Sequence, residues 1–216
     1  MVWAVFVTAM TGLAGLLLLS DPPPQAGADI PATRPFLSNG NGSTSENFGD
    51  NAGSMHAESR IESDRWESIV IHHSGRMTGT VRELDGRAKR AGLNGLGHHF
   101  VIGNGSGLSD GVVESGYRWQ DQIPGAHVAI SPGAGDAEWK RANELNRTSV
   151  GICLIGNGNR QPFTEAQIRA LIDLVRGLQR ECDIPASRVL LHSDVFAADD
   201  PGRYFPTDRL ESHILP

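Results

Sequence analysis

Ser68-Ile69-Val70-Ile71-His72 is a run of β-branched residues without polar alternation, ending in histidine. A strand that turns apolar side chains to both of its faces must be covered on both, so this stretch predicts a central strand between two layers. Val150-Gly151-Ile152-Cys153-Leu154-Ile155 predicts a second central strand for the same reason. Phe100-Val101-Ile102 and Val112-Val113 read as two more, separated by the turn-rich Gly103-Asn104-Gly105-Ser106-Gly107. Val189-Leu190-Leu191 reads as a short last strand ending at His192.

Helical signals lie between these runs. Thr80-Val81-Arg82-Glu83 has the capping-box pattern, in which hydroxyl and carboxylate each satisfy a backbone N–H that the first helical turn leaves open. Val81, Leu84, Ala88 and Ala91 then share one face, and Gly92 supplies a stop. The stronger element follows the second central strand. Thr164 and Gln167 form another capping box, Phe163 and Ile168 are placed as a hydrophobic staple, and Ile168, Leu171, Ile172, Val175, Leu178 and Cys182 recur at helical spacing. Strands alternating with helices imply an α/β fold, and the hairpin-like middle argues for a mixed central β-sheet flanked by helices, in a single catalytic domain.

The remaining sequence sets the limits of that domain. Residues 2–19 are almost unbroken apolar sequence, halted by Ser20-Asp21-Pro22-Pro23-Pro24. That length is near the lower limit for crossing a bilayer and also suits a long signal core, with Ala26-Gly27-Ala28 as a small-x-small cleavage site. Residues 1–28 are therefore expected to be a signal peptide or a membrane anchor, although the usual basic residues ahead of the apolar run are absent. The domain is then exported, to the periplasm or cell envelope, with membrane attachment through residues 2–19 as one outcome. Residues 29–64, rich in Gly, Ser, Asn and Pro, lack hydrophobic periodicity and are expected to form a disordered linker. Residues 65–216 are left as the folded domain. The 216-residue chain carries 25 acidic against 19 basic residues, a formal charge of -6, so it has no electrostatic footprint for nucleic acid. Its two cysteines, Cys153 and Cys182, read as buried free thiols rather than a disulfide.

His72 and His192 each stand at a strand end, and Asp200 follows in His192-Ser193-Asp194-Val195-Phe196-Ala197-Ala198-Asp199-Asp200-Pro201-Gly202. Two imidazoles and a carboxylate with one open position make a catalytic zinc site. Such an ion would acidify water and polarise a scissile carbonyl, so that an amide could be cleaved without a nucleophilic side chain. Spacing alone leaves a packed, hydrogen-bonded role open for each histidine.

The order of the motifs narrows this. Ile69-Val70-Ile71-His72-His73-Ser74, Gly97-His98-His99-Phe100-Val101-Ile102, Gly125-Ala126-His127, Asn146-Arg147-Thr148-Ser149-Val150-Gly151-Ile152-Cys153-Leu154, and His192 with Asp200-Pro201-Gly202 together resemble the type 2 amidase family. This is the family of the bacteriophage lysozyme-type amidases and the peptidoglycan recognition proteins, and the resemblance spans residues 66–206. It implies zinc held by His72, His192 and Asp200, the last at a position where many members have Cys, others Asp, and members without metal Ser. Where many members have Tyr, this chain has His98, which the resemblance assigns to acid/base or water-orienting work. Where some members place Lys or Thr to stabilise the oxyanion, this chain has Ala198, leaving that task to the zinc, His98 or a group such as His127. His127 is expected either to contact substrate or to make a structural hydrogen bond.

Of the other histidines, His73 and His99 are expected to pack or to support, because neighbours on a strand point to opposite faces, while His56 and His213 fall in linker and tail. Asp194 either shapes its loop or orients a ligand. The function implied is a zinc-dependent N-acetylmuramoyl-L-alanine amidase, a monomer that hydrolyses the bond between N-acetylmuramic acid and L-alanine in peptidoglycan. The alternatives are a module that binds peptidoglycan without cleaving it, and an amidase of soluble muropeptides, which the apolar N-terminal run disfavours.

Overall fold

In the computed structural model, residues 61–129, 133 and 135–216 are described. The expected signal or anchor, and the linker as far as residue 60, lie outside the described residues. Among the described residues no helix is long and apolar enough to cross a membrane.

Five strands form one sheet: β1 (Ser68–His73), β2 (Phe100–Ile102), β3 (Val113–Ser115), β4 (Ser149–Leu154) and β5 (Val189–Leu191), in the spatial order β3-β2-β4-β1-β5. β1 runs parallel to β4 and β5, β2 runs parallel to β4, and β3 pairs antiparallel with β2. The sheet is thus mixed, and the two continuous apolar runs are its inner strands. Every residue of β4 is buried, whereas β5 at the edge is half-buried throughout.

Alternation along the strands divides the interior. Ile69, Ile71, Phe100, Ile102, Val150, Ile152 and Leu154 meet Ile168, Leu171, Val175 and Leu178 of helix α4 (Glu165–Cys182; the earlier helices are given below). On the other side Val101, Cys153 and Ile155 meet Leu84 of α1 (Val81–Arg90), with Leu96 and Leu108. His72 pairs with Cys153, and Cys153 with Val101, so His72 belongs to the α1 side of the sheet.

Both capping boxes form. Thr80 and Glu83 close the start of α1, and Thr164 and Gln167 that of α4, with Phe163 and Ile168 both buried in the same core. Gly92, at φ 87, takes the left-handed turn just beyond α1, where a residue with a Cβ would be strained. The cysteines are free and buried, with burial pushing the Cys182 thiol up to about 11 and Cys153 higher still.

Three features depart from the sequence reading. Helix α3 (Asp136–Thr148) was not anticipated, and neither were the short α2 (Tyr117–Gln120), α5 (His192–Val195) and α6 (Thr207–Glu211). β3 begins one residue later than expected, at Val113, leaving Val112 42% exposed. The packed chain also starts earlier than residue 65: Ile61 packs on the core, and the Glu62 N–H donates to Gln122 Oε1, which also accepts from the buried Trp66 indole.

Candidate active site

Parallel strands gather their C-terminal ends at one edge of a sheet, the usual place for a ligand in an open α/β fold. His72 is near the end of β1, and His192 follows β5 directly as the first residue of α5. Asp200 comes from the loop after α5, which is tied back where the Ser193 N–H donates to the Asp200 carbonyl at 2.8 Å. The His73 N–H donates to Asp200 Oδ1 at 2.6 Å and fixes the carboxylate. Asp194 accepts from the Leu191 N–H at 2.8 Å, so its carboxylate shapes the start of α5.

The expected trio is brought together. His72 Nδ1 and His192 Nδ1 lie 3.1 Å and 3.2 Å from the same oxygen, Asp200 Oδ2. Among the described residues, His72, His192 and Asp200 are the group whose ligand atoms, all within 4.8 Å of one another, could hold a metal ion. Burial alone would raise the Asp200 carboxyl, but contacts with His192, His72 and the His73 N–H outweigh it and hold the group well below the usual carboxylate range. Asp200 is thus an anion. His72, 2% exposed, is pushed down by burial more than Asp200 pulls it up, so its neutral form is favoured.

This donor set suits a cation. A carboxylate oxygen can only accept, so two imidazole nitrogens brought onto Asp200 Oδ2 each need a proton or a shared metal ion between them. Burial works against the proton on His72. Two nitrogens and one carboxylate oxygen match the ligand types of zinc, with a position left open.

The other expected residues surround this point. The His98 ring lies 5.0 Å from that of His72, nearly at right angles, and burial followed by the neighbouring His72 holds its pKa well below 6.5. Its Nδ1 and the Nε2 of His192 are the buried side-chain nitrogens, among the described residues, that lack a hydrogen-bond partner in the protein. His127 is 6% exposed, with Nδ1 3.0 Å from His72 Nε2 and Nε2 3.3 Å from the Ser149 carbonyl. Both of its ring nitrogens thus have partners inside the protein, as in the structural hydrogen bond that was one of the two roles expected for it. His73 Nδ1 accepts from the Gly158 N–H, and His99 bridges the Gly151 N–H and the Ile123 carbonyl, so both support the backbone. His213 is exposed near the C-terminus, and His56 lies outside the described residues. Ala198 lines a cavity of about 320 Å³ at Asp200 together with Asn159, Ser193, Asp199 and Arg203. Phe196, which sequence reasoning passed over, flanks His192 at 6.1 Å, and its own ring is approached by Arg141.

The chain is similar to known proteins over the same region. The Amidase_2 profile, described as N-acetylmuramoyl-L-alanine amidase, matches residues 62–203. Among curated proteins, the N-acetylmuramoyl-L-alanine amidase AmiD of Escherichia coli (strain K12) is 37% identical over 87 residues, 36% of this chain and 32% of that protein. An endolysin of Klebsiella phage KP32 is 33% identical over 120 residues, 53% of this chain and 64% of the endolysin. The matched parts thus span less than two thirds of these relatives' own lengths. Among solved structures, the N-acetylmuramoyl-L-alanine amidase LysC from Clostridium intestinale URNW superposes with a TM-score of 0.55 at 27% identity, covering 69% of this chain and 85% of LysC. Wild-type Drosophila PGRP-LB, at 23% identity and a TM-score of 0.51 over 70% of this chain and 84% of its own, shares the fold. With its family profile matched across most of the described residues, the chain belongs to the Amidase_2 family of N-acetylmuramoyl-L-alanine amidases.

Proposed function

We propose that the protein is a zinc-dependent N-acetylmuramoyl-L-alanine amidase that hydrolyses the amide between N-acetylmuramic acid and L-alanine in peptidoglycan or its muropeptides. The observation that carries this reading is the meeting of His72, His192 and Asp200 at one carboxylate oxygen, in a family of amidases. Those three residues would hold the ion. Zinc in that place supplies a Lewis acid that polarises the scissile carbonyl and brings water towards ionisation near neutral pH.

The chain's own residues then divide the work. Asp200 remains an anion and is oriented by the His73 N–H. His98, neutral beside His72, takes a proton from the attacking water at a ring nitrogen and returns it to the departing L-alanine amine. Ala198 carries no donor, and His127 has both ring nitrogens committed elsewhere, so on the protein side stabilisation of the oxyanion falls to His98. The apolar residues 2–19 favour an exported enzyme of the periplasm or cell envelope, cleaved or membrane-attached.

One observation favours a second reading. The missing donor at Ala198 is what a module that binds peptidoglycan without cleaving it would tolerate. Mass analysis of peptidoglycan digested with the zinc-loaded full-length protein separates the two. Free stem peptides beginning with L-alanine are expected, and their absence from folded, metal-loaded protein leaves the binding module standing.

A further inference from the structure

The hydrogen bonds behind His72 run in one direction. The Ser149 carbonyl can only accept, so the His127 Nε2 facing it at 3.3 Å carries the proton of that ring. His127 Nδ1 is then bare and can only accept, and the atom 3.0 Å from it is His72 Nε2. With an ion taking the Nδ1 that faces Asp200 Oδ2 at 3.1 Å, the proton of His72 then sits on Nε2 and is donated to His127.

The His127 ring lies in a slot made for it. A Cβ on Gly151 would come within 2.4 Å of His127 Cδ2, and a Cβ on Gly125 would approach the same atom to 2.4 Å, so any side chain on either flank would displace the ring. Neither glycine has a positive φ, which leaves space as the reason for glycine at both. Asn146 holds the segment from below, its Oδ1 accepting from the N–H groups of His127 and Val128 at 2.9 Å and its Nδ2 donating to the Val128 carbonyl at 2.8 Å. Gly125, His127, Asn146, Ser149 and Gly151 come from two separate sequence motifs and act on one imidazole.

We infer that His127 is a positioning residue which, through the Ser149 carbonyl, fixes the tautomer and ring orientation of His72 so that Nδ1 faces the metal. The inference rests on the reading of His72, His192 and Asp200 as a metal centre. A ligating imidazole whose second nitrogen donates to a fixed acceptor is oriented before the ion arrives, and removing such a partner typically costs about 10–100-fold in metal affinity.

The test compares two side chains of nearly equal size in the full-length protein. His127→Leu removes the acceptor, and His127→Asn keeps an oxygen near the place of Nδ1. Zinc dissociation constants are measured by competition with a chromophoric chelator. His127→Leu should bind zinc about 10–100-fold more weakly, and His127→Asn should recover most of that loss. In zinc-loaded wild-type protein, nitrogen-15 NMR of the imidazoles should show a scalar coupling across the His72 Nε2–H···Nδ1 His127 bond, a readout that needs no variant to fold. Equal affinities for His127→Leu and wild type, equal losses in both variants, or a His72 proton found on Nδ1 would each overturn the inference. Wild-type protein that takes up no zinc overturns the metal-centre reading and this one with it, whereas normal uptake with indistinguishable variants overturns this one alone.

Discussion

Replacing Asp200 with Asn tests the metal centre most directly, because the structure dictates how the amide must sit. Asp200 Oδ1 accepts from the His73 N–H at 2.6 Å, and Oδ2 faces the two Nδ1 atoms of His72 and His192 at 3.1 Å and 3.2 Å. An amide nitrogen cannot face the His73 N–H, donor against donor, so Asn must put its oxygen there and turn its NH2 towards the imidazoles. Its two protons then occupy the lone pairs that would hold the ion. In the metal-free fold the contacts of Asp200 with the His73 N–H, His72 and His192 lose their charge and become neutral ones, so stability should fall by about 1–3 kcal/mol. Zinc binding should fall by more than about a hundredfold, at least about 2.7 kcal/mol, since the removal of a merely supporting group already costs about 10–100-fold. Chelator competition gives the dissociation constant. Thermal unfolding with and without zinc gives the linkage, which for wild type at a free-zinc concentration a hundred times its dissociation constant is about 2.7 kcal/mol of added stability. Full zinc occupancy in folded Asp200→Asn would refute the assignment and make the exposed Asp199 the candidate ligand.

Other outcomes follow from the same geometry. His98→Ala should lower kcat by about a hundredfold or more with zinc content intact, and His98→Tyr should restore part of the rate; steady-state kinetics on preparations assayed for zinc decide, and an unchanged kcat removes His98 from the mechanism. His99 is lowered from 6.5 to about 4, by burial first. The unfolded chain therefore binds a proton that the folded chain refuses between those values, so stability contributed by the neutral ring is full above about pH 6.5 and falls by about 3 kcal/mol as the pH drops to about 4. Urea unfolding across that window should show this slope, shallower by about one proton in His99→Gln, and a slope identical to wild type in that variant would count against the buried, neutral His99. Removing residues 1–64 should leave a domain about 1–2 kcal/mol less stable than removing residues 1–60, because Ile61 and the Glu62 N–H contribute to the packed fold; equal melting temperatures would refute that boundary.

The parts of the fold that could be read in advance are those whose signal lies within a few residues. Ile69 to Ile71 and Val150 to Ile155 announce inner strands because both faces are apolar, and α4 does so because its apolar stripe and its capping box agree. Helix α3 gave no such warning. It buries Ala142 and Thr148 and leaves Trp139 57% exposed, so its sequence carries little of the periodicity by which a helix is recognised. Val112 looked like a strand residue because it is apolar, yet the ladder with β2 begins at Val113, and nothing short of that pairing sets the register. At the site, the trio was legible from motif order, whereas the bond from His72 to His127 joins a strand to a loop fifty-five positions away and exists only once Gly151 and Gly125 have made room for it.

The alternation of β1 separates the site from the core that stabilises the fold. Ile69 and Ile71 point into the core shared with α4, while His72 lies on the opposite face beside Cys153. The large apolar burial that stabilises the domain is thus on one side of the strand, and the charged and imidazole groups are on the other, at its C-terminal end. Asp200, Ala198 and the His192 loop hang from β5, the half-buried edge strand, by backbone hydrogen bonds such as that from the Ser193 N–H to the Asp200 carbonyl. A change of side chain in that loop alters which groups face the metal position without opening a cavity in the core, and that is where this chain has Asp and Ala. His127 is different, since its ring fills the space beside Gly151 in the middle of β4 that a Cβ there would take. Side chains on the edge loop are therefore free to tune the chemistry, whereas the residue that orients His72 is held as tightly as the core.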